Sequence, residues 1–254
     1  MTEPLWRGVA VALVTLFDEG GAVDVPATAA HAARLVELGV RAVLVAGSTG
    51  EAEALTDEER VALVAAVKQA CPEVPVLAGA SAAWAGAAAE RVTAAVTAGA
   101  DAVLVAPPRR AGDLAGFYRT IAGAAGGAPV LAYHFPGVVG GAVPVEALPE
   151  LAISGIKDST GDPERLLRTL DAWTGWTYVG SSTVVSYAGQ LGASGAILAV
   201  ANAVPEECLA AFDGDGAAQR RLIVAHLAAR DRFPRGLKEL VAQRFGTPTA
   251  SRLG

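Results

Sequence analysis

Three segments of this chain share one outline. "ELGVRAVLVAG", "TAGADAVLVAP" and "QLGASGAILAV" each run from a helical end through a glycine into an apolar stretch. A glycine there stops a helix, because it enters the left-handed conformation without the clash that a Cβ brings. An apolar run without polar alternation is what a strand covered on both faces shows, as in a parallel sheet flanked by helices. The repeated unit is therefore helix, turn, buried strand, and its recurrence confines the chain to the α/β class.

Strands of this kind are expected near residues 8–13, 42–46, 76–78, 102–106, 130–133, 155–157, 177–180 and 195–199. Helical patterns such as "VPATAAHAARLVELG" and "DEERVALVAAVKQA" lie between them. In the second, Val61, Leu63, Val64 and Val67 give a largely one-sided apolar face, and Thr56 with Glu59 forms a capping box. Eight strand–helix units without a linker predict a (β/α)8 TIM barrel over residues 1–204. Residues 205–254 are expected to add a short C-terminal helical extension packed on the barrel, with "GTPTASRLG" as a tail. The competing topology is an open doubly wound sheet. No G-x-G-x-x-G follows the first strand, which weighs against the dinucleotide-binding form of that sheet.

Composition narrows the function classes. Hydrophobic residues make up 52% of the chain and charged ones 18%, which suits a large core and argues against disorder. The longest apolar runs are too short to cross a bilayer, and no signal peptide is expected. The net charge of −6 is spread without a basic stripe, so neither nucleic acid nor a membrane is an expected partner. Cys71 and Cys208 lie far apart, as buried free thiols of a reducing, cytoplasmic compartment would.

A barrel carries its chemistry on the loops that leave the C-terminal ends of its strands. The polar residues expected there are Ser48, Thr49, Ser81, Arg109, Arg110, Tyr133, His134, Lys157, Ser181 and Ser182. The chain has lysines only at positions 68, 157 and 238. Lys68 near a helix C-terminus and Lys238 beside Glu239 are expected to be solvated. Lys157 ends an apolar strand, where desolvation lowers the amine pKa and makes it a nucleophile able to form a Schiff base with a ketone. The alternative is a buried ion pair with Asp158 or Asp162. Tyr133 ends the neighbouring strand at the same level and could carry the proton, or be a rim aromatic with a wet hydroxyl. Gly47-Ser48-Thr49-Gly50-Glu51 offers closely spaced N–H groups and two hydroxyls to a carboxylate. Gly180-Ser181-Ser182 reads as the lining of a polar pocket. His31, His134 and His226 show no metal-ligand spacing, and no metal is expected. A nucleophile elbow and a P-loop are also missing.

"GSTGE", "AYHFPG", "GIKDSTG" and "LGASGAILAVAN" stand in order along the chain. With them the sequence resembles the dihydrodipicolinate synthase / N-acetylneuraminate lyase family of pyruvate-dependent class I aldolases, from about residue 8 to residue 205. The resemblance implies a (β/α)8 barrel with extra C-terminal helices, no cofactor, and a homo-oligomer, usually a tetramer of two tight dimers. It implies Lys157 as the Schiff-base lysine and Tyr133 as the proton-transfer residue. Ser48, coupled to Tyr133, and Thr49 would hold the pyruvate carboxylate. Ile197 would line the pocket, with Gly47, Gly50, Ser159, Gly180 and Ser182 around the substrate.

The chain also departs from the family. Dihydrodipicolinate synthases usually place an arginine after the tyrosine segment, where this chain has Gly137, Val138 and Val139. Their aromatic pair after strand 4 is replaced by Pro107-Pro108-Arg109-Arg110. The acidic pair of sialic-acid lyases after strand 7 is replaced by Ser182 and Thr183. What remains is most similar to the branch acting on 2-keto-3-deoxy sugar acids, with Arg109 or Arg110 meeting an anion on the aldehyde. The expected partners are pyruvate or another 2-keto acid and an aldehyde. Two readings compete: a 4-hydroxy-tetrahydrodipicolinate synthase, and a catalytically silent barrel that binds a keto acid.

Overall fold

Successive side chains of a strand point to opposite faces, so the parity of a residue decides which core it enters. The computed structural model, which describes residues 3–253, contains both cores. Strands β1 (Gly8–Ala12), β2 (Ala42–Val45), β3 (Val76–Gly79), β4 (Ala102–Val105), β5 (Val130–His134), β6 (Gly155–Asp158), β7 (Trp176–Val179) and β8 (Gly195–Leu198) are all parallel. They close in sequence order, with Gly8 of β1 opposite Gly195 of β8. The fold is the expected barrel, and that closing pair rules out the open sheet.

Helices α1 (Val25–Glu37), α2 (Asp57–Ala70), α3 (Ala85–Thr97), α4 (Leu114–Ala124), α5 (Pro163–Ala172), α6 (Val185–Gln190), α7 (Pro205–Phe212), α8 (Gly216–Asp231) and α9 (Arg235–Phe245) follow the strands. Gly39, Gly99 and Gly192 take φ of 103°, 101° and 80° just beyond α1, α3 and α6, where the repeat placed the helix stops. One unit departs from the pattern. Between β5 and β6 the chain makes a 3-10 turn, Val145–Glu150, with Pro149 inside it. Proline lacks the N–H that an α-helix needs at that position. Helix α7 lies against β1 and β8, where the eighth helix of the ring belongs.

Val9, Val11, Val43 and Val45 fill the layer between barrel and helices, while Ala10, Ala12, Ala42, Leu44, Leu131 and Ile197 point inward. Trp6 stacks on Tyr178 at 4.1 Å between ring centroids and fills the lower interior, so the barrel is solid below its mouth. The capping box on α2 forms as expected. Its apolar face is narrower than the sequence suggests. Val61 is 37% exposed and Arg60 is buried beside it, its stem covering apolar surface while the guanidinium reaches the Gly79 and Ala52 carbonyls. Among the described residues no helix is long and apolar enough to cross a membrane.

The expectation of a solvated Lys238 is wrong. Its side chain is 0% exposed, and its amine lies 2.5 Å from the carboxylate of Glu51, equally buried. The burial is possible because a distant turn supplies the counter-charge. Nor does "GTPTASRLG" hang free: its Arg252 grips Glu59 through both guanidinium Nη atoms. Lys68 is paired with Asp101 at 2.7 Å and partly exposed.

Candidate active site

Parity and register bring the two principal residues together. On β5, Leu131 and Tyr133 face the interior while Val130 and Ala132 face the helices. Leu131 lies opposite Gly155 and Tyr133 opposite Lys157, so Lys157 enters the same interior from β6. Ile156, of the other parity, joins the outer core. Lys157 is 3% exposed and its amine stands 4.7 Å from the centre of the Tyr133 ring.

Neither aspartate near Lys157 neutralises it. Asp158 points the other way, pairs with Arg165 and accepts from the Thr160 N–H at 2.8 Å. Asp162 caps α5 through the Glu164 and Arg165 N–H groups. Among the described residues no carboxylate forms an ion pair with Lys157. Burial therefore holds the Lys157 pKa below its ordinary 10.5, with the nearby Tyr133 phenol opposing the shift. His134 is engaged elsewhere. Its Nδ1 accepts from the Val143 N–H at 2.9 Å, and burial with the nearby Arg165 lowers its pKa, so a neutral imidazole pins the loop after β5.

The turn after β2 faces this pair. Ser48–Gly50 forms one 3-10 turn whose hydrogen bonding begins at the Gly50 N–H, donating to Gly47 O at 3.0 Å. The N–H groups of Ser48 and Thr49 precede it, the position at which a helical turn leaves donors unused. Ser48 Oγ lies 3.3 Å from the Tyr133 hydroxyl, and Thr49 is buried. Thr15 Oγ1 donates to Gly50 O at 2.7 Å and ties the turn to the loop after β1. Asn202, which sequence reasoning did not single out, holds that loop to β8. It accepts from the Val14 N–H and donates to the Ala12 and Ala199 carbonyls.

Two cavities meet at Lys157, Tyr133 and Ser48. One, about 410 Å³, extends toward β2–β4 and is lined by Gly47, Ser81, Arg91 and Arg109 among others. The other, about 390 Å³, extends toward β6–β8 past Thr49, Ser159, Gly180, Ser182 and Ile197. Gly180 has no room for a side chain: a Cβ there would lie 2.8 Å from Lys157 Cε and 1.9 Å from Ser159 Oγ. Arg109 also reaches the loop after β5, 3.4 Å from the Val138 carbonyl. Arg110 lies apart, in an outer depression with Trp84 and Asp113. Gly50 lines neither cavity and serves the turn itself.

The second cavity has a wall that strand-end reasoning missed. His226, Ala229, Arg230 and Phe233 close it from α8 and the turn beyond. Their spacing of i, i+3, i+4 and i+7 marks one helical face and was available in the sequence. His226 Nδ1 lies 2.8 Å from Ser182 Oγ, and burial together with Arg230 lowers its pKa.

Comparison with known proteins gives one answer. The model of the Dihydrodipicolinate synthetase family matches residues 5–223. A DapA-like lyase of Halobacterium salinarum is 36% identical over 210 residues, covering 79% of this chain and 69% of the relative. A 4-hydroxy-tetrahydrodipicolinate synthase of Phenylobacterium zucineum is 35% identical over 247 residues, covering 90% and 83%. Among solved structures, YagE of E. coli K12, a prophage protein of the dihydrodipicolinic acid synthase family in complex with pyruvate, superposes with a TM-score of 0.87. The two are 27% identical, over 98% of this chain and 92% of YagE. The chain belongs to the dihydrodipicolinate synthetase family, a family of pyruvate-dependent class I lyases.

Proposed function

We propose that this chain is a cofactor-independent lyase that makes or breaks a C–C bond of a 2-keto acid through an imine on Lys157. The neutral Lys157 amine adds to the ketone carbon; the former carbonyl oxygen takes one proton from the nitrogen and a second from the Tyr133 phenol and leaves as water, giving the iminium. The C4 hydroxyl gives its proton to the Tyr133 phenolate, the C3–C4 bond breaks with its electron pair passing to the iminium, and the aldehyde departs. The enamine takes a proton at C3 from Tyr133, and water hydrolyses the resulting iminium, freeing pyruvate and the amine and returning a proton to Tyr133. Reversal forms the bond. Tyr133 carries the protons, with Ser48 as its hydrogen-bond partner, and the N–H and hydroxyl groups of Ser48 and Thr49 hold the carboxylate, orienting the imine. The observation that carries the reading is a buried lysine that pairs with no carboxylate of the described residues, beside a phenol linked at 3.3 Å to the turn that would receive the acid.

The aldehyde half extends along Ser159, Gly180, Ser182 and His226, where Arg230 offers a cation to an anionic group on it, while Arg109 faces the other cavity. This polar edge supports a 2-keto-3-deoxy sugar acid. The Phenylobacterium relative, a 4-hydroxy-tetrahydrodipicolinate synthase, favours the second reading, aspartate semialdehyde as the partner of pyruvate. Pyruvate release from 2-keto-3-deoxy sugar acids, set against pyruvate consumption with aspartate semialdehyde, separates the two. Faster turnover of the semialdehyde would reverse the preference. Pyruvate capture with no turnover on any aldehyde would make the chain a keto-acid-binding barrel. The buried free thiols Cys71 and Cys208 support a reducing, cytoplasmic setting.

A further inference from the structure

The turn that receives the carboxylate ends in a residue held by the far end of the chain. Glu51 sits at φ 56° and ψ 42°, in the left-handed region where a non-glycine residue is uncommon, and its side chain is wholly buried. A buried carboxylate requires a counter-charge and donors for its remaining lone pairs. All of them come from α9 and the residues after it. The Lys238 amine lies 2.5 Å from Oε1. Oε2 accepts from Ser251 Oγ at 2.9 Å, from the Arg252 N–H at 2.8 Å and from the Leu253 N–H at 3.0 Å.

The arrangement is closed on its other sides. Lys238 donates to the Ala250 carbonyl at 2.7 Å and stands 4.3 Å over the Phe17 ring. Arg252 binds both oxygens of Glu59 at 2.7 Å, and its guanidinium also donates to the Gly21 and Ala54 carbonyls. Glu59 belongs to the capping box of α2, the helix into which the turn leads. Residues 250–253 therefore grip both ends of the segment from Glu51 to Glu59. Neither Glu51 nor Lys238 lines the cavities at Lys157, so any influence on the chemistry passes through the turn. The link is short: the Glu51 N–H donates to Ser48 O at 3.2 Å.

We propose that Glu51, Lys238 and residues 250–253 form a buried lock that holds the Ser48–Thr49 turn in the shape that receives the substrate carboxylate. The end of the chain is then a positioning element of the active site. The proposal rests on the reading of Ser48 and Thr49 as carboxylate ligands, and adds what keeps them in place. A positioning role of this kind acts chiefly on the grip for the acid and only weakly on imine formation, which Ser48 touches through Tyr133.

The test compares the unaltered protein with a chain ending at Thr249 and with full-length Glu51→Gln. Each is reduced with borohydride over a range of pyruvate concentrations, and in parallel with methyl pyruvate, which has the ketone without the carboxylate charge. The lock predicts that half-saturating pyruvate rises about 10-fold or more in both variants. The saturated trapping rate and the trapping of methyl pyruvate both stay within about three-fold, the small loss allowed because Ser48 also partners Tyr133. Should either variant fail to unfold cooperatively, Glu51→Gln/Lys238→Met removes both buried charges together and carries the same comparison. Unchanged half-saturation in folded variants, or equal losses with pyruvate and methyl pyruvate, overturns the lock. Failure of the unaltered protein to trap pyruvate defeats the Schiff-base reading first and the lock with it.

Discussion

A buried lysine without an anion beside it gives up its proton more readily than a solvated one, and among the described residues Lys157 has no carboxylate partner. Its reactivity with ketones should follow its own titration. Trapping by pyruvate is expected to rise with pH and level off below the lysine's ordinary 10.5. A rate still climbing beyond pH ~10 would mark an unperturbed amine. The same depression has a consequence for stability. Between the folded and unfolded pKa values the unfolded chain binds the extra proton, so stability rises with pH across that window. Below it the buried cation is a standing cost. Lys157→Met should therefore abolish trapping yet unfold at higher denaturant than the parent, and that advantage should shrink as pH approaches ~10. Lys157 could be found in the sequence because its surroundings are local: an apolar strand that ends in one charge. Lys238 looked like a surface residue because its partner, Glu51, belongs to a turn brought near only by the closed fold.

At the level of elements, the strands were legible because burial on both faces leaves unbroken apolar runs, and the helix ends because glycine marks them. The 3-10 crossover before β6 is signalled by Pro144 and Pro149, while the strand pattern alone does not distinguish it from a helix. Helix α8 shows the limit of a strand-end argument. Its face bearing His226 and Arg230 reaches the pocket only because the helices beyond β8 fold back over the mouth. The residue after strand β7 makes the sharpest demand on the site, since Gly180 leaves the space that the Ser159 and Lys157 side chains occupy. Gly180→Ala should lower the trapping rate by roughly 10-fold or more while costing only about 1–3 kcal/mol of stability, because the added methyl overpacks one spot. Trapping at the parent rate, with the fold intact, would show that the lysine does not need that space.

Across the whole molecule, closure of the sheet places residues from β2, β5 and β6 at one mouth, and the C-terminal segment is tied to that mouth through Glu51. The outer surface carries exposed apolar side chains on α6, at its C-cap and on α8, including Tyr187, Leu191, Ile223, Val224 and Leu227. We read them as support for a homo-oligomer. Light scattering at micromolar concentration should give at least twice the mass of one chain, and a single-chain mass would remove that expectation. The central claim concerns one covalent bond and is tested most directly by it. The protein is reduced with borohydride in the presence of pyruvate and digested, and the peptide containing Lys157 is weighed. The account predicts that this peptide gains the mass of a reduced pyruvate adduct, that Lys68 and Lys238 stay unmodified, and that nothing is gained without pyruvate. An unmodified Lys157, or label spread equally over the three lysines, would contradict it.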